Sequence, residues 1–195
     1  MYNREEITRV LSELEAPRRL ALCAICAERL MPLYDRYWAT QGKEHSFFRT
    51  AMDRVWDHLF GNSVRVDVEK LWLEAKAKVP DEDDLVPGYL YAQDAAIAVT
   101  YTLETWLRGD VRSIVFCLEQ AYNVVDNYVT NQVIPNGIIT EQSESTIQRH
   151  AVVQAELARQ SKEIDLCRIT EGKDWPSVLN QMKADARQTR IVPSG

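Results

Sequence analysis

The chain has 195 residues, of which 46% are hydrophobic and 27% charged, with only seven glycines and seven prolines. That is enough apolar matter to close a core without covalent staples, which excludes a disordered chain, and too few turn formers for a many-stranded β fold. A formal charge of −6 argues against general nucleic-acid binding and suits a basic protein partner.

The opening MYNREEITRV lacks the basic-then-apolar layout of a secretion signal. The uncharged run 20–27 is too short to span a bilayer. The expected compartment is the cytoplasm, with no membrane and no nucleic acid among the partners. Cys23 and Cys26 form a C-x-x-C spacing, but they fall inside a helical pattern, and Cys117 and Cys167 stand alone. The four are expected to serve as small buried hydrophobes rather than as a redox or zinc site.

In chain order, residues 5–14 read as a short amphipathic helix with Ile7, Val10, Leu11 and Leu14 on one side. A second helix is expected over 18–39, ending near Gly42, with Leu20, Cys23, Ala24, Ala27, Leu30 and Met31 inward. Pro32 cannot donate to the carbonyl of Glu28 and crowds it, which predicts a kink or a break. Glu28 and Arg29 stand on the margin of this apolar run.

A third helix spans 46–60 and ends at Gly61. Asp67 is placed to cap a fourth helix that stops at Pro80. Asp81, Glu82, Asp83 and Asp84 follow, a run of like charge that favours a solvated connector and offers a candidate partner surface.

Residues 89–107 hold the most apolar helix pattern, YAQDAAIAVTYTLETWL over 91–107. Apolar on more than one face, it is expected to lie buried at the centre, with Asp94 as an internal acid that needs a partner or a pocket. Gly109 then reads as a C-terminal stop and Asp110 as the cap of a sixth helix over 111–132. Residues 134–143 read as a loop, and 145–170 as one peripheral helix with Ile147, Val153, Leu157, Ile164 and Cys167 inward. A short last helix is expected over 176–186, with 187–195 frayed. The fold class is therefore all-α, a single-domain bundle of seven to eight helices over 1–195 around a central helix at about 89–107.

No nucleophile elbow and no P-loop is present. A di-metal site in a bundle needs Glu-x-x-His on two helices, and none of His45, His58 and His150 follows a glutamate at that spacing. No metal, no cofactor and no catalytic set is expected. What remains is a candidate pocket or buried polar cluster of Glu28, Arg29, Asp53, Trp56 and Asp94. Its acids come one per helix, and ion pairing with arginines competes with a catalytic use. Trp38 and Trp72 lie in more polar settings and would anchor a partner if exposed; core packing is the plainer use.

The series Cys26, Glu28-Arg29-x-x-Pro32-x-Tyr34, Asp53-x-Val55-Trp56-x-x-Leu59, Pro80, Asp83-Asp84 and Asp94-Ala95 resembles the YjaG-like bacterial family of unknown function. The resemblance is good as far as Leu107, and the loop 134–143 departs from it. It implies an all-helical single domain and no activity. The function expected on these grounds is a non-enzymatic protein-binding module, in its specific form an immunity protein that neutralises a basic toxin. The alternative is a small-molecule-binding protein or hydrolase using Glu28, Asp53 and Asp94.

Overall fold

In the computed structural model, which describes residues 4–42, 45–62, 65–80, 88–134, 140–170 and 174–192, the most completely enclosed helix is α2 (Ala16–Thr40). Every residue from Leu20 to Met31 is buried. Around it stand α3 (Phe47–Leu59), α5 (Tyr89–Arg108), α6 (Val111–Val133), α8 (Ala151–Ile169) and α9 (Trp175–Gln188), all of which pack on it. The outer helices are α1 (Arg4–Ser12) against α6, α4 (Val68–Lys78) against α5 and α7 (Glu141–Arg149) against α6 and α8. The fold is an all-α bundle, of nine helices among the described residues rather than seven or eight.

Helix α5 shares the centre with α2 and runs antiparallel to it. Cys23 near the start of α2 meets Thr105 near the end of α5, Sγ to Oγ1 at 3.4 Å, while Tyr37 and Tyr89 meet at the other end with ring centres 6.3 Å apart. Both helices present small residues to this contact: Ala24 and Ala27, and Ala92, Ala96 and Val99, are all wholly buried. Short side chains let the two backbones approach closely and widen the dispersion contact between them. The outer side of α5 is only half-buried, so α2, not α5, is the wrapped member of the pair.

Three boundaries differ from the sequence reading, each for a local reason. Helix α2 continues through Pro32 without a break. The proline is exposed, and the missing bond and ring clash cost about 3 kcal/mol, which burial of both flanking halves offsets. The helix expected over 145–170 is two helices divided at His150, whose ψ of 139° is extended. The backbone N–H of Val152 donates to His150 Nδ1 at 3.3 Å, so the imidazole caps α8 where no Gly or Pro marks a stop. Helix α7 also starts earlier than expected, at Glu141. Thr140 and Ser143 form a reciprocal capping box there, within what reads as loop.

The tail is docked rather than frayed as far as Val192. Helix α9 runs on to Gln188, and Ile191 and Val192 are each only 6% exposed. The caps expected at Asp67 and Asp110 are present, accepting from Lys70 N at 3.0 Å and Ser113 N at 2.8 Å. Gly109 takes the left-handed conformation, φ 67°, that ends α5 and turns the chain into α6.

Candidate functional site

Glu28 and Arg29 are consecutive on α2 and therefore point about 100° apart around it. Both are fully buried, at 1% exposure, not marginal. Each reaches a different neighbour, and each organises its own polar cluster.

Glu28 faces α3 and α9. Its Oε2 accepts from the indole Nε1 of Trp56 at 2.7 Å, and its Oε1 accepts from Arg49 Nη1 at 2.6 Å and from Arg187 Nε at 3.0 Å. Arg49 also donates to Asp35 at 2.8 Å, and Arg187 stands 3.9 Å from the exposed Asp53. The cluster thus ties the middle of α2 to α3 and to the last turn of α9. Trp56 and Phe60 stack on one side of it, with the Lys183 ammonium 4.8 Å from the centre of the Trp56 ring. Burial, and then the Arg187 charge, push the Lys183 ammonium below its ordinary range.

Arg29 faces α8. It donates through Nη2 to Glu156 at 2.9 Å and through Nη1 to Glu163. Burial alone would disfavour its charge, and the Glu163 and Glu156 carboxylates more than reverse that, so it is held cationic. Glu163 is raised by burial despite its partner. Gln160 donates to Glu156 at 3.0 Å and to the Leu118 carbonyl of α6 at 3.1 Å. Arg159 caps the other Glu156 oxygen at 2.7 Å.

Asp94 belongs to neither cluster. Its Oδ2 is buried with no hydrogen-bond partner among the described residues, and burial lifts its carboxyl to about 7. The five candidates therefore do not share one site. Glu28 meets Trp56 directly and Asp53 through Arg187, Arg29 turns to α8, and Asp94 stands apart. The acids Asp81, Glu82, Asp83 and Asp84 lie outside the described residues.

The sequence reading missed Arg49, Arg187, Glu156, Gln160 and Glu163. A signal was present on α8. Val153, Glu156, Gln160, Glu163 and Cys167 follow one another at spacings of three and four, and all are buried. Three of those five are polar, so a search for apolar periodicity passes over the stripe. Arg49 and Arg187 carry no local signal, because only the packing of α3 and α9 on α2 brings them to Glu28.

The other sequence expectations fall into place around these clusters. All four cysteines are free thiols and buried; Cys26 is pushed up by its hydrogen bond with Cys117 and by burial, and Cys167 is raised by burial to about 12. Trp72 is 9% exposed and Trp38 half-buried against His45, which is core packing rather than a presented anchor. Among the described residues, no group of three His, Cys, Asp or Glu is arranged to hold a metal, and no helix is long and apolar enough to cross a membrane.

Several clefts open on the surface of the described residues, and two of them lie near the charged side chains of α2, α4 and α5. One, of about 540 Å³, lies between α4, α5 and the start of α6, with Trp72, Tyr101 and Phe116 among its walls. Its cations already cover two of these rings: Lys76 and Arg108 sit 4.7 and 4.8 Å from the Trp72 centre, and Arg112 5.2 Å from that of Phe116. The other, of about 340 Å³, lies beside Pro32 between α2 and the end of α9, and Arg29 forms part of its wall.

The model of a protein family of unknown function, DUF416, matches residues 6–192. The chain belongs to the DUF416 family. A crystal structure of a DUF416 family protein from Shewanella baltica OS155 superposes with a TM-score of 0.79, covering 92% of each chain at 16% identity. That likeness carries the DUF416 fold and nothing about chemistry. A search of curated proteins found no match.

Proposed function

We propose that this DUF416 protein is a binding module that docks a basic protein partner, and that its specific role is that of an immunity protein masking a toxin. The observation that carries the reading is the state of Glu28, whose two oxygens already accept from Trp56, Arg49 and Arg187. A carboxylate so occupied ties helices together and has little acceptor capacity left for a substrate proton. The hydrolase reading asks Glu28, Asp53 and Asp94 to face one substrate, and the separate placement of Asp94 gives that no support. The net charge of −6 would steer a cationic partner, with the run Asp81, Glu82, Asp83 and Asp84 as the docking surface.

Within the family we group the chain with the YjaG-like proteins, on the motif series ending at Asp94-Ala95. Free thiols at all four cysteines fit a reducing compartment, and we place the protein in the cytoplasm.

The test is affinity purification of the tagged chain from its native cells at low salt. A stoichiometric basic protein is expected, and its binding should weaken with added salt and on joint substitution of Asp81, Asp83 and Asp84 by Asn and of Glu82 by Gln. Purification of the chain alone, or a partner indifferent to those substitutions, sinks the reading.

A further inference from the structure

The half-buried outer side of α5 forms the floor of the cleft of about 540 Å³, with Ile97 and Tyr101 in it. Helix α4 makes one wall and the start of α6 the other, each packed on α5. A cation stands on each wall, Lys76 on α4 and Arg112 on α6, and among the described residues neither makes an ion pair. What holds each of them is a ring: the Lys76 ammonium lies 4.7 Å from the centre of Trp72, and the Arg112 guanidinium 5.2 Å from that of Phe116. Attraction to a ring face fixes a cation without giving it an oxygen acceptor. The N–H donors of both side chains therefore remain available to an oxyanion.

The carboxylates of the cleft are already engaged. Glu104 pairs with Arg108 at 3.2 Å, and Asp110 accepts from the Ser113 N–H at 2.8 Å, where the N-terminal dipole of α6 answers its charge. Lys76, Arg108 and Arg112 outnumber these two acids, so the lining is net cationic in a chain of charge −6. Ser113 adds an independent observation. It lines the cleft at only 3% exposure, and its hydroxyl makes no hydrogen bond among the described residues. A buried hydroxyl without a partner is unfavourable, and an acceptor on a ligand would relieve it.

We propose that this cleft binds a small aliphatic dicarboxylate. One carboxylate is held by Arg112 and the Ser113 hydroxyl at the α6 wall, the other by Lys76 at the α4 wall, and the methylenes between them lie over Ile97 and Tyr101. Two anionic ends are needed because the unpaired cations stand on separate walls over separate rings. The spacer is aliphatic because Trp72 already carries both Lys76 and Arg108, and Phe116 is stacked by Tyr101 besides its cation, which leaves a ligand ring little to stack on. The volume falls within the range of small-molecule pockets. This binding goes beyond the docking of a protein partner and does not rest on it.

Isothermal titration of the full chain at constant ionic strength tests it, with glutarate as the probe and butyrate and inorganic phosphate as comparisons. Glutarate is expected to bind saturably at one site per chain, and butyrate, which lacks the second carboxylate, about tenfold more weakly. Lys76→Gln and Arg112→Gln should each weaken glutarate by roughly tenfold. Both residues are exposed, so neither change threatens the fold. Lys70→Gln makes the same change of charge on α4 outside the cleft and should bind as the parent does. Unsaturable heats, or equal binding by the parent and either cleft variant, overturn the site. Butyrate bound as tightly as glutarate, or phosphate bound in preference to it, overturns the assignment to a dicarboxylate.

Discussion

Asp94 shows how one residue carries a pH dependence into the whole protein. Its unfolded carboxyl titrates near 4, and in the fold burial raises it to about 7. Between those values the folded chain holds a proton that the unfolded chain has released. Stability therefore falls as pH climbs from about 4 to about 7 and is level above that range. Water reaches part of the side chain, so the effect is smaller than the ~4 kcal/mol that a wholly dry carboxyl moved from near 4 to about 7 would carry. Asp94→Asn removes the titration. It should stabilise the protein by about 1–2 kcal/mol at pH 8 and by almost nothing at pH 4, read by urea unfolding at both. Equal effects at the two pH values would mean that a donor reaches the carboxylate. The sequence marked Asp94 correctly as an acid among apolar neighbours; whether it found a partner depended on helices distant in the chain.

Between elements, the most deeply buried ion pair is the one from α2 to α8. Arg29, Glu156 and Glu163 sit in a dry contact where neither charge is stable without the other. Arg29→Met leaves two buried carboxylates facing an apolar wall and should cost about 3–5 kcal/mol. Adding Glu156→Gln and Glu163→Gln should return most of that loss, because the penalty comes from unpaired charge rather than from a missing bond. Urea midpoints of the single and triple variants decide it, and a triple variant no better than Arg29→Met would count against the pairing. This tie was half legible. Arg29 stood out as a charge beside an apolar run, while its partners lay on a helix read only for its apolar residues. The division at His150 escaped the sequence for a related reason, since a histidine cap has no distinctive composition.

At the scale of the molecule, α2 touches α3, α5, α6, α8 and α9 within one continuous apolar core. None of those five helices can leave without uncovering part of α2, whose run from Leu20 to Met31 is wholly buried. Thermal unfolding should then be a single transition, with far-ultraviolet circular dichroism and tryptophan fluorescence coinciding. The tryptophans lie on α2, α3, α4, α5 and α9, so fluorescence samples most of the bundle. Two resolved transitions would show that the helices fold as separate units, against the single domain proposed for residues 1–195.

Helical periodicity, Gly and Pro stops and Asp caps act within a few residues, so the sequence alone determined the all-α class, most helix bounds and the apolar faces. It also marked Glu28 and Arg29, because charge in an apolar stripe demands a partner wherever the stripe is buried. What only the tertiary structure decided was which helix is wrapped, which partners those charges take and which cations line a common cleft. Those outcomes depend on contacts such as Arg187 to Glu28, 159 residues apart in the chain, and no local pattern encodes a meeting at that distance.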